Sequence, residues 1–145
     1  MFKKLISTSD DIALTILRLV LGVVFFAHGG QKLLGWFGGF GFHGTMAAMQ
    51  QFGVSAPLFL LIVAIEFFGG LGLIFGFLTR IPAFGVIVLM IGAIVMFHWA
   101  NGFFINWYGN QKGEGFEYHL LAIGMAAALL LRGAGAYSVD RALSS

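Results

Sequence analysis

The chain has 145 residues, of which 59% are hydrophobic and 10% charged, with a formal net charge of +2 and no cysteine. A soluble domain of this size carries about a quarter charged residues, so a water-exposed globule is excluded. The small charge excludes nucleic acid as a partner, and the lack of cysteine excludes disulfides, thiol catalysis and Cys-ligated metals.

In chain order, the sequence predicts four apolar helices, approximately 12–30, 57–78, 81–100 and 117–132, within one integral-membrane unit over residues 1–145. A helix rises 1.5 Å per residue, so about 20 apolar residues cross the hydrocarbon core. The fourth segment meets that length only with its charged ends snorkelling. The fold class expected is an all-α transmembrane four-helix bundle with a long, Gly/Phe-rich outer loop between the first two helices. Asp10, Asp11 and Arg18 in and before the first run, and the lack of a small-x-small site after it, predict that this run is not a cleaved signal.

Lys3, Lys4, Arg80, Arg132 and Arg141 fall on one side of a four-span arrangement, and Lys32 and Lys112 on the other. The positive-inside rule therefore places both termini in the cytoplasm. Trp36, Trp99, Trp107 and Tyr108 fall on the outer side, where amphipathic rings prefer the headgroup level. Residues 45–52 of the first outer connection are expected to form a short interfacial helix.

Gly39-Phe-Gly41-Phe-His-Gly44 matches the dinucleotide-binding fingerprint, but that motif works only between a strand and a helix. Here its glycines are read as loop turns. Gly72 and Gly76, and the pairs Ala122/Ala126 and Gly124/Ala128, repeat a small-residue spacing that marks close helix packing. Met90, Met96 and Met125 are read as core filler.

The charges inside the runs are informative because lipid makes them costly, about 2.5–3.5 kcal/mol each. Arg18 lies about 9 Å in from Ile12 and Glu66 about 13 Å in from Pro57, at helical rise. Gly22 shares a face with Arg18, and Gly69 and Gly70 with Glu66, so both charges are expected to face the bundle interior and to pair. Such a pair is either a packing device or a charged site for a ligand or proton. A second polar set gathers near the outer surface: His28, Gln31 and Lys32, then His98 and Asn101, then Glu117 and His119. It suits an anion, a quinone headgroup, a proton relay, a metal or a haem.

Leu17-Arg18-Leu19 followed by Ala27-His28-Gly29-Gly30-Gln31-Lys32 resembles the first helix of the DoxX family. Glu66-Phe-Phe-Gly69-Gly70 through Thr79-Arg80 resembles its second, and Gly133-Ala-Gly135-Ala-Tyr137-Ser138-Val-Asp140 is similar to its closing motif. The resemblance implies a small four-helix protein of the bacterial inner membrane, with relatives in thiosulfate:quinone oxidoreduction, oxidative-stress responses and quinone or catechol detoxification. The function expected is a membrane component of a redox or quinone-linked process that binds a quinone-like molecule between helices. The site residues expected are Arg18, His28, Lys32, Glu66, His98, Glu117 and His119, with no metal. Quinone is the leading cofactor and haem b the lesser one. Membrane lipid and a soluble or membrane oxidoreductase are the expected partners, and a homo-oligomer stays open. The competing readings are a non-enzymatic anchor for a soluble oxidoreductase and a small transporter.

Reporter fusions test the orientation. Those at Ser145 and at Thr79–Arg80 should read cytoplasmic, and those at Gly44 and Gly109 periplasmic; a periplasmic C-terminus would overturn the charge argument.

Overall fold

A computed structural model describes residues 2–144; Met1 and Ser145, the ends of the expected 1–145 unit, lie outside the described residues. The elements are α1 (Phe2–Ile6), α2 (Ile12–Leu34), α3 (Gly41–Gln51), α4 (Ala56–Phe75), α5 (Arg80–Asn101), α6 (Glu117–Arg132) and α7 (Val139–Ser144). No strand occurs among the described residues, which leaves the dinucleotide fingerprint without its structural context. The protein is an all-α membrane protein. Three helices, α2, α4 and α5, are long and apolar enough to cross a membrane. The sequence expectation counted four such spans, but α6 has 16 residues and rises only about 24 Å.

Local chemistry sets the ends. The Asp11 carboxylate caps α2 by accepting from the Ala13 amide at 2.8 Å. The helix then runs four residues past the expected Gly30, to a stop at Gly35 with φ 74°. α4 ends at Phe75, short of the expected Leu78, because Gly76 takes φ 66°. Gly76 is therefore a helix stop as well as a close contact: a Cβ there would collide with the Ser138 side chain and sit 3.0 Å from the Arg18 guanidinium. The interfacial helix begins at Gly41, four residues earlier than expected.

Apolar residues face both inward and outward. Leu14, Leu21 and Phe25 of α2 pack with Leu73, Val86, Met90, Ala126 and Leu129 in the main core. A smaller cluster of Val54, Phe59, Ile62 and Val63 is covered by Phe42, Met46 and Met49 of α3. Ile12, Ile16, Val20 and Val23 form a stripe more than half exposed along the opposite side of α2. In water such a stripe is a liability; in lipid it is the solvated face. Met96 of α5, expected as core filler, is 47% exposed and lies outside both core clusters.

α2 and α4 approach backbone to backbone. A Cβ built on Gly29 would sit 2.5 Å from the Phe67 amide nitrogen, and one on Gly70 would sit 2.6 Å from that of Phe26. Gly22 approaches Ile74 in the same way, whereas Gly69 faces Pro82 of α5. Small residues permit this contact. Ala122 and Ala126 are buried as their spacing predicts, while a Cβ at Gly124 would meet only open space.

Arg18 does not pair with Glu66. It is 1% exposed and donates to backbone carbonyls: Leu73 at 2.6 Å, Ile74, Ala134 at 3.0 Å and Tyr137 at 3.2 Å. The Gly76 and Phe77 amides cap Leu73 and Gly72 of the last turn, and the guanidinium, with five donors in a fan, adds bonds to Leu73 and Ile74. The same tail returns Asp140, whose carboxylate accepts from the Leu78 and Thr79 amides at 2.8 and 2.9 Å. One end of the bundle is thus closed by a cation on carbonyls and an anion on amides.

Arg18→Met removes several bonds to a charged donor, each worth about 1.5–3 kcal/mol, and is expected to lower the melting temperature sharply. Arg18→Lys should recover only part of the loss, because a single ammonium cannot reach carbonyls on α4 and on the tail together. A lysine variant that melts like wild type would overturn the clamp.

Candidate functional site

Two helices leave α geometry where their polar residues lie. In α4 the backbone widens to a π turn over Ala64–Gly69, and in α5 over Ile94–His98. Such turns shift the following side chains relative to a regular helix and recur at functional sites. The first carries Glu66 and the second ends on His98.

Lys32, on the last turn of α2, reaches Glu66. Its Nζ lies 2.7 Å from Oε2 and 3.0 Å from Oε1, and only the Oε1 contact has hydrogen-bond geometry. The Glu66 side chain is 9% exposed and that of Lys32 20%. Either charge alone is costly in this low-dielectric setting, and their mutual attraction offsets part of that cost. The Glu66 partner is therefore Lys32, one helical end away from the Arg18 expected from sequence. Arg18 was expected to pair with Glu66, but it donates instead to carbonyls at the α4 stop and on the tail.

The pair lines a cavity of about 320 Å³ bounded by α2, α4, α5, α6 and Met49 of α3. That volume lies at the small end of ligand pockets. Most of the wall is apolar, with Phe25, Ile62, Leu89 and Met90 among its residues. The polar groups are His28, Lys32, Glu66, His98, Tyr118 and His119. His28 is exposed at the mouth, one turn before Lys32. His98 and His119 face each other with ring centroids 4.2 Å apart. His98 Nδ1 lies 2.8 Å from the Glu114 carbonyl, which only accepts, so the neutral ring is protonated there and Nε2 keeps its lone pair. His119 is buried, and its Nδ1 has no hydrogen-bond partner.

The structure thus gathers five of the seven candidate residues and leaves two apart. Arg18 closes the opposite end. Glu117 accepts from the Ile105 amide at 2.9 Å and ties the start of α6 to the α5–α6 connection. Tyr118 lines the cavity although the sequence reading passed over it; its place beside His119 on the first turn of α6 was the available signal. The His98 and His119 rings, tilted at 45° to each other, do not suit a haem held between them. An iron bonded at about 2 Å to each ring would need their centroids about 6 Å apart.

The cavity, apolar along most of its wall and edged by convergent donors, thus lies inside an all-α membrane protein. The particular family follows from comparison. The DoxX model matches residues 13–99, and the chain belongs to the DoxX family. That span holds His28, Lys32, Glu66 and His98 but not His119. The chain is similar to "Inner membrane protein YqjF" of Escherichia coli (strain K12), 29% identical over 135 residues, covering 93% of this chain and 95% of that protein. It is also similar to "Putative oxidoreductase CatD" of Bacillus subtilis (strain 168), 32% identical over 121 residues, covering 83% of this chain and 81% of that protein. No solved structure matches the chain.

A double-mutant cycle measures the ion pair. Breaking a fully buried pair costs about 3–5 kcal/mol, and the partial exposure of Lys32 reduces this. Lys32→Met with Glu66→Gln should cost less than the two single losses added. Additive losses in thermal melts would mean that the two residues do not interact.

Proposed function

We propose that this DoxX protein is a bacterial inner-membrane component of a redox process and that it holds a quinone-like molecule in the cavity. In this reading α6 makes the fourth crossing and both termini are cytoplasmic. The observation that carries it is the cavity itself, apolar along most of its wall with donors and a carboxylate at one end. A quinone needs an apolar slot for its ring and donors at its carbonyls. Lys32, Tyr118 and His119 supply donors, and Glu66 and His98 are placed to exchange protons. Reduction of a quinone to a quinol takes two electrons and two protons. The side chains serve the protons; the electrons come from an oxidoreductase partner. The names of the two relatives, one an inner membrane protein and one a putative oxidoreductase, agree with this reading.

Gly92 provides the test. It lines the cavity, and a Cβ added there meets nothing within 4 Å, so a side chain can start from this wall without a backbone clash. Gly92→Phe in nanodiscs is expected to weaken binding of a benzoquinone, followed by tryptophan fluorescence, at least tenfold while leaving the melting temperature unchanged or raised. His119→Ala should weaken binding with little effect on melting. Unchanged affinity in both variants would overturn the quinone site, and co-purification of a soluble oxidoreductase without bound quinone would favour the anchor reading.

A further inference from the structure

The connection from α5 to α6 is tied both to itself and to the two helices. The Phe116 amide donates to the Gly102 carbonyl at 3.1 Å, Glu117 to Phe103 at 2.9 Å and Gly115 to Phe104 at 3.1 Å. Farther out, the Asn106 side chain makes two bonds to the Gln111 backbone, at 3.1 and 3.3 Å. The Asn106 amide donates to the Glu114 carboxylate at 2.7 Å. Trp99 of α5 stacks on Phe116 with 9° between the rings. A segment bonded in this way holds its peptide groups in fixed directions.

One of those groups, the Glu114 carbonyl, meets two side chains of α5. His98 Nδ1 lies 2.8 Å from it and Asn101 Nδ2 3.0 Å. The same Asn101 amide also donates to the Phe97 carbonyl, one turn back, at 3.3 Å. Asn101 thus ties the Glu114 carbonyl to the end of α5. The fit is close: a Cβ built on Gly113 would sit 2.6 Å from Asn101 Nδ2. Free neutral histidine favours a proton on Nε2, and a carbonyl held against Nδ1 reverses that choice. The two ring nitrogens point apart, and the ring lines the cavity. Nε2 makes no hydrogen bond among the described residues and stays accessible, unlike Nδ1 of His119.

We propose that Asn101 is a positioning residue: by fixing the Glu114 carbonyl it keeps the proton of neutral His98 on Nδ1 and offers the cavity an acceptor at Nε2, which selects the hydroxyl-bearing, reduced form of the quinone-like ligand. The selection rests on the quinone reading of the cavity; the tautomer does not. A quinol hydroxyl donates to the Nε2 lone pair, whereas a quinone carbonyl there sets one lone pair against another. Asn101 needs no contact with the ligand, since it acts through the Glu114 peptide and His98.

Nitrogen NMR reads the tautomer, on the full chain isotope-labelled at histidine in nanodiscs at about pH 8, above the ordinary histidine range. His98 is assigned from the signals that His98→Gln removes. Wild type is expected to carry the proton on Nδ1. Asn101→Asp sets a carboxylate against the Phe97 and Glu114 carbonyls and should move the proton toward Nε2. Gly113→Ala, whose methyl displaces the Asn101 amide, should do the same, and it keeps the test open if the first variant fails to fold. Tryptophan fluorescence then compares 2,3-dimethoxy-5-methyl-1,4-benzoquinone with its quinol. Wild type is expected to bind the quinol about tenfold more tightly, the size of one hydrogen bond, and Asn101→Asp to lose that ratio. A wild-type proton on Nε2, or folded variants that keep the wild-type tautomer, would overturn the positioning role. With the tautomer as stated, equal affinity for the two forms overturns the selection and leaves the cavity reading standing. If neither form binds, the quinone reading falls together with the selection, and the Asn101 lock on His98 stands alone.

Discussion

The contact of α2 with α4 at backbone distance is the constraint on which the rest of the structure depends. It is possible only where glycines replace side chains, at Gly22, Gly29 and Gly70. At that distance the polar groups of the two helices no longer meet lipid; they meet each other or a neighbouring chain segment. Each end of the crossing then settles its own charge. At one end Arg18 spreads over carbonyls of α4 and of the tail. At the other end Lys32 meets Glu66. A side chain larger than hydrogen at Gly29 would push Phe67 and Glu66 away from α2, and so would open the site without touching any of its polar atoms.

The two ends differ in kind. Arg18 faces fixed backbone acceptors on several elements, which suits a permanent joint. Lys32 and Glu66 are two flexible side chains beside a cavity, with one carboxylate oxygen free of a hydrogen bond. The π turns reinforce that difference. They fall in α4 and α5 beside the cavity and not beside the Arg18 joint. Irregular helix is tolerated in a membrane where protein or a cavity covers it, and here the irregularity gathers where a ligand would displace or bridge polar groups.

Much of this was legible in the sequence. The long apolar runs marked α2, α4 and α5, and their few polar residues marked the site, because lipid leaves polar groups few reasons to be there. His28, Lys32, His98 and His119 were grouped by level alone, and the cavity joins them. The pairing was not legible. Arg18 and Glu66 had matching depths and glycine faces, but depth cannot show that Gly76 would end α4 early and bring its last carbonyls beside Arg18. The role of Asp140 was equally hidden, although the closing segment 133–140 stood out; an acidic residue after the last apolar run reads as surface until the tail is seen to fold back on Leu78 and Thr79. Glu117 misled by position, since its carboxylate turns to the loop amide of Ile105 and away from the cavity.

The joint around Arg18 also has a history in time. Arg18 and its acceptor Ala134 are 116 residues apart, whereas Lys32 and Glu66 are 34 apart. At about 5–20 residues per second of synthesis, the guanidinium waits roughly 6–23 s for the tail carbonyls to be made. During that interval the first helix carries an incompletely satisfied cation, held by headgroups and water at the membrane edge. The half of the bundle around the Lys32–Glu66 pair can assemble while translation continues; the opposite end closes only after the last helix has emerged. A ribosome that stops short of Asp140 leaves a chain that can form the Lys32–Glu66 pair but not the closed base at Arg18.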